Sequence, residues 1–137
     1  DINLTGAIAT AEAAVALFRE QGHGQIVGIS SVAGVRGMRG QGVYCATKAG
    51  FSRYLESLRA ETRGDAIVVT DLAPGYIDTD INRSAPSRPF LVTAEHGTKI
   101  MADLIERKVS FRFVPPWPWT VVARVLRWLP DSVIAKM

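Results

Sequence analysis

Residues 24–50, GQIVGISSVAGVRGMRGQGVYCATKAG, run from a short β-branched stretch through a glycine-rich loop into the start of a helix. "QIVGIS" (25–30) has the character of a buried strand. "GVRGMRGQG" (34–42) is a loop on its glycine content. Positions 43–63 then read as a long helix that stops at Gly64. At the entrance to that helix Tyr44 and Lys48 stand four residues apart, one helical turn, which puts their side chains on one face with Cβ atoms about 5–6 Å apart.

Outward from this stretch the same grammar repeats. "NLTGAIATAEAAVALFRE" (3–20) is alanine-rich with apolar residues at helical intervals, and the glycines of "QGHG" (21–24) end it. "AIVVTDL" (66–72) is a second buried strand, broken by "APG", and 73–92 is a proline-bearing loop with room for a short helix. "TAEHGTKIMADLIERK" (93–108) opens on Thr93 as an N-cap and closes on basic residues. "SFRFV" (110–114) alternates like a third strand. Helices of this length between strands make crossover units of a parallel sheet covered on both faces. Three parallel strands make a poor complete domain, so residues 1–114 read as the second half of a doubly wound, Rossmann-type sheet. The chain starts at Asp1 inside a helix pattern, which reads as mid-protein.

Apolar residues make up 47% of the 137 and charged residues 21%, ordinary for a soluble globular chain. One cysteine, Cys45, and two distant histidines, His23 and His96, speak against a disulfide framework and a metal site. The net charge of +3 is uneven: positions 1–82 hold seven basic and nine acidic residues, and 83–137 hold nine and four. That is too sparse for a nucleic-acid stripe. The basic end also carries the tryptophans. "PPWPWTVVARVLRWLPDSVIAKM" (115–137) places apolar residues at 121, 122, 125, 126 and 129, with Arg124 and Arg127 on another face. It reads as an amphipathic helical extension, broken at Pro130. Such a segment can lie on a membrane, cover a substrate pocket, or pack on a second subunit. No run reaches the roughly 18 apolar residues of a membrane span, and a cytoplasmic protein, with peripheral membrane contact as an option, is the expectation.

Open α/β sheets bind ligands at the carboxyl ends of their strands. Three groups converge there: Ser30 and Ser31, then Tyr44 and Lys48, then Pro74, Gly75 and Thr79. A free tyrosine, with a pKa near 10, is a poor base at neutral pH. A nearby ammonium favours the phenolate, and a serine hydroxyl beside it can hold a substrate oxygen. By themselves a tyrosine and lysine on one helix face are more often a packed ring and a solvated charge.

The context decides between these readings. "GQIVGISSVAGVRGMRGQGVYCATKAG" followed by "VVTDLAPGYIDTDI" resembles the catalytic half of a short-chain dehydrogenase/reductase. The family's Y-x-x-x-K pair is matched by Tyr44 and Lys48, and its serine, thirteen residues earlier, by Ser31. Its N-x-x-G asparagine is matched by Asn3 with Gly6, and its P-G segment by Pro74-Gly75, with Ile77 and Thr79 toward the nicotinamide end. The resemblance implies hydride transfer between NAD or NADP and a small carbonyl or secondary-alcohol substrate. In it Tyr44 is the general acid/base, Ser31 stabilises the reacting oxygen, Lys48 lowers the Tyr44 pKa and bonds the nicotinamide ribose, and Asn3 holds a relay water. It also implies a homo-oligomer. The family's T-G-x-x-x-G-x-G phosphate loop and N-N-A-G segment are not found, so this chain alone is expected to be inactive. The alternative is a half-domain kept as an interaction or membrane-docking module. The blander expectations are Cys45 as a packing residue, Asp78 and Asp80 as solvated carboxylates, His96 as a surface side chain, and Arg36 and Arg39 in solvent.

Overall fold

The computed structural model describes residues 2–80 and 87–136, with side chains from residue 4 onward. A π-helical turn, Ile2–Gly6, leads into α1 (Ala7–Gln21). Gly22 ends α1 with φ of 83°, a left-handed value that glycine adopts without a Cβ penalty. Then come β1 (Gly24–Ile29), a 3-10 turn at Val32–Gly34, α2 (Gly42–Glu61) and β2 (Ile67–Pro74). Next are β3 (Ile77–Asp78), β4 (Val92–Thr93), α3 (Ala94–Glu106), β5 (Phe111–Val114), α4 (Pro116–Trp128) and α5 (Asp131–Ile134).

The main sheet is parallel, in the order β1-β2-β5, with Gly24 opposite Ile67 and Asp71 opposite Phe111. Alternation along the strands sends side chains to two helical layers. Ile26 and Val69 face α1 and α2, packing with Ala11, Val15, Phe51, Leu55 and Leu58. Val27 and Leu72 face α3, packing with Ile100, Leu104 and Ile105. Helices on both faces of a parallel sheet are the Rossmann-type α/β arrangement expected from the element order. Gly28 lets α2 lie flush on β1, because a Cβ there would stand 2.2 Å from Leu55 Cδ1.

Two details depart from the sequence reading. Helix α2 ends at Glu61, before Gly64; the Thr62 hydroxyl donates to Leu58 O at 2.9 Å and closes the last turn locally. The 73–92 segment holds β3 and the first residue of β4, which pair in parallel as a second small sheet, and two-residue strands leave no readable alternation. Thr93 does cap α3, its hydroxyl accepting from His96 N at 3.2 Å.

Candidate active site

The carboxyl ends of β1 and β2 bring the sequence candidates to one edge of the sheet. Ser31 follows β1 in extended conformation and caps the 3-10 turn, its Oγ accepting from Ala33 N at 3.1 Å. The same hydroxyl makes a long 3.4 Å bond to Pro74 O, so the Ser31 loop touches the Pro74-Gly75 turn. The 3-10 turn then folds onto α2. A Cβ on Gly34 would stand 3.0 Å from the Lys48 carbonyl carbon and the Ala49 nitrogen. Glycine at 34 therefore permits backbone-on-backbone contact at the turn of α2 that carries Lys48.

Tyr44 lies 42% exposed at the mouth of α2. The Lys48 ammonium sits 5.9 Å from the Tyr44 ring centroid, and Nζ donates to Ile29 O at 2.9 Å. The pair thus faces the end of β1. Burial lowers the Lys48 pKa from its usual 10.5, and the negative charge of Asp71 opposes that shift.

Not every candidate turns its side chain toward that edge. Ile77 turns its side chain into the core beside Leu72, Leu104 and Val114, and Gly97 gives it room, since a Cβ there would meet Ile77 Cδ1 at 2.9 Å. The Thr79 hydroxyl donates to Ile77 O at 3.4 Å. Asn3 has its backbone in the Ile2–Gly6 turn, and its side chain lies outside the described residues. Cys45 is buried as expected, and His96 is exposed.

Arg36 corrects an expectation. It is not in solvent: Nη1 donates to Arg127 O at 3.0 Å, and Nη2 pairs with the Asp131 carboxylate. It pins the loop after Ser31 to the junction of α4 and α5. Arg39 is exposed, as expected.

Sequence reasoning passed over two further groups. Asp71 is 1% exposed on β2, where both carboxylate oxygens accept hydroxyls: Ser30 Oγ at 2.6 Å and Ser52 Oγ at 2.5 Å. The signal was a lone acid inside the buried run "IVVTDLAP", and a serine one turn beyond Lys48 on the Tyr44 face. The second group is Trp119, which lies on Gly75: a Cβ there would be 2.1 Å from its Nε1. That buried N–H has no hydrogen-bond partner among the described residues. Trp119 also packs edge-on to Phe90 at 5.5 Å and joins Ala73, Phe113, Ala123, Val32 and Val35 in one cluster. The tail therefore touches both the Ser31 loop and the turn after β2.

Similar proteins carry the same arrangement of elements. A short-chain dehydrogenase from Sphingobium yanoikuyae, solved in complex with NADPH, superposes with a TM-score of 0.77 over 90% of this chain and 51% of its own, at 24% identity. A short chain dehydrogenase from Burkholderia cenocepacia in complex with NADP gives 0.81 over 96% of this chain and 54% of its own, at 20% identity. At those identities the likeness shows the fold. An oxidoreductase of Mycobacterium tuberculosis is 39% identical over 137 residues, 99% of this chain and 54% of its own length. The chain thus spans about half the length of the curated relatives it matches. The family model for short chain dehydrogenase matches residues 1–89, which include Ser31, Tyr44, Lys48 and the Pro74-Gly75 turn, and the chain belongs to the short-chain dehydrogenase family.

Proposed function

We propose that this chain is the catalytic half of an NAD(P)-dependent oxidoreductase that interconverts a carbonyl and a secondary alcohol, with residues 1–114 as the half-domain and 115–137 as an extension. The observation that carries the reading is the contact of the Ser31 loop with the Lys48 turn of α2, with Lys48 bonded to the end of β1. Tyr44 at the mouth of that helix holds the proton that the substrate oxygen gains or loses. Ser31 holds that oxygen; its hydroxyl spends its proton only on the long contact to Pro74 O, so it can turn to a substrate. Lys48 sets an ammonium beside the Tyr44 ring, within reach of the oxygen that exchanges the proton.

The residues fit a nicotinamide cofactor by donor chemistry. The bond to Ile29 O uses one of three Lys48 N–H donors, and the others suit ribose hydroxyls. The cofactor, when bound, supplies or accepts the hydride. The outer edge of β1 has no strand partner among the described residues, and further strands of the whole protein would add there. The test is Tyr44→Phe in the whole protein. Turnover should fall by about 10²–10⁴-fold, with cofactor affinity nearly unchanged; near-parent turnover would reject the assignment. The family resemblance also supports a homo-oligomer, to be read by light scattering.

A second reading, docking to an anionic membrane surface, rests on the outer face of α4. Trp128 is 85% exposed there, beside Val121 and Val125, and Arg124 lies on the same stripe rather than on a separate face as its spacing suggested. Among the described residues no helix is long and apolar enough to cross a membrane, so contact would be peripheral. Co-sedimentation with vesicles rich in anionic lipid checks it, and loss of binding in Trp128→Ser is the expected signature.

A further inference from the structure

We propose that Asp71 is a positioning residue for the Tyr44–Lys48 pair, a buried carboxylate that ties the helical turn after Lys48 to the strand end that leads into Ser31. The inference rests on the reading of Tyr44 and Lys48 as the working pair. Its ground is a closed circuit of contacts. Ser30 Oγ donates to one Asp71 oxygen from the end of β1, and Ser52 Oγ donates to the other from α2. Lys48 lies one turn before Ser52, and its ammonium returns to β1 at Ile29 O, the residue before Ser30. A carboxylate is costly to bury unless it is paired and hydrogen-bonded. Here two hydroxyls take both oxygens, so each buried acceptor has a donor. The strand end and the helix therefore move together, and Ser31 moves with them.

Charge reinforces the geometry. Burial drives the Lys48 pKa down, and the Asp71 charge pushes it back up. Few other charged groups face the circuit. On β1 there is no titratable side chain. Further along α2, Arg59 is committed to Val69 O and Ser110 O. On β5, Arg112 is exposed and donates to Phe111 O. Tyr44, with its ring 5.9 Å from Nζ, is the remaining neighbour.

The test is Asp71→Asn in the whole protein, which keeps the shape and removes the charge. The readout is the titration of the Lys48 side chain by heteronuclear NMR, assigned by the resonance that Lys48→Arg lacks. The Lys48 midpoint should move to lower pH, because burial then acts unopposed. An unmoved midpoint in a folded variant would overturn the proposal. If Asp71→Asn does not fold, Ser52→Ala carries the test. It should lower kcat about tenfold, as for one lost hydrogen bond to a charged group, with KM unchanged, and Ser52→Thr should restore it. Parent-like kcat in Ser52→Ala, or no recovery in Ser52→Thr, would overturn it. The titration needs no turnover. A Tyr44→Phe variant that stays active would therefore reject the oxidoreductase reading and leave the Asp71 result standing.

Discussion

The inner end of α2 and the inner face of α4 both close on the carboxyl edge of the sheet, and they are held by opposite means. On α2 the contacts are directional: Lys48 to Ile29 O, and Ser52 with Ser30 to the Asp71 carboxylate. On α4 the contact is one of shape, with the Trp119 indole on Gly75 and Ala123 on the same cluster. Hydrogen bonds fix where a group points, which suits residues that must present a proton or a charge. Aromatic packing fills volume and excludes water, which suits a wall. The polar end should therefore respond to pH and to the loss of single atoms, and the apolar end to volume.

The largest effect should come from the apolar side. Trp119→Ala empties a fully packed site, and chemical denaturation should show a loss of about 3–5 kcal/mol that is indifferent to salt. A much smaller loss would mean that α4 is held by its ends. Gly75→Ala probes the same contact from the other side. The added Cβ has no room, so a loss of about 1–3 kcal/mol is expected, with Trp119 fluorescence shifted toward that of an exposed indole.

On the polar side Ser30→Ala leaves one Asp71 oxygen without its donor in a dry site, for a loss of about 1–3 kcal/mol. Arg36→Ala breaks a bond to Asp131 that is open to water, since the Asp131 side chain is 97% exposed. That should cost at most about 1 kcal/mol, and less in high salt.

The subtlest sharpening uses Lys48→Arg. Burial holds Lys48 below its unfolded value of 10.5, so between the two values folding releases a proton and stability rises with pH. Arginine stays charged throughout. The stability of the parent relative to Lys48→Arg should be flat below the folded value and climb until pH 10.5. A flat difference across that window would mean that Lys48 is not desolvated.

Spacing along the chain determined a good deal. Three strands and the helices between them followed from alternation, helical periodicity and glycine stops, because each is a local property of a few residues. Tyr44 and Lys48 share a helix face by arithmetic, and Ser31 follows from its distance to Tyr44 in a family resemblance. What spacing cannot hold is the meeting of distant residues. Asp71 was visible as an acid in an apolar strand, yet its partners Ser30 and Ser52 come from two other elements, and only the β1-β2 register and the lie of α2 join them. Arg36 reads as solvated until α5 brings the Asp131 carboxylate to its guanidinium. The tail read equally as lid, subunit contact or membrane segment, because one amphipathic pattern serves all three. The tertiary structure put the Trp119 face of α4 on Gly75 and left the Val121–Val125–Trp128 face outside. Burial belongs to a surface shared by several elements, and no single element encodes it.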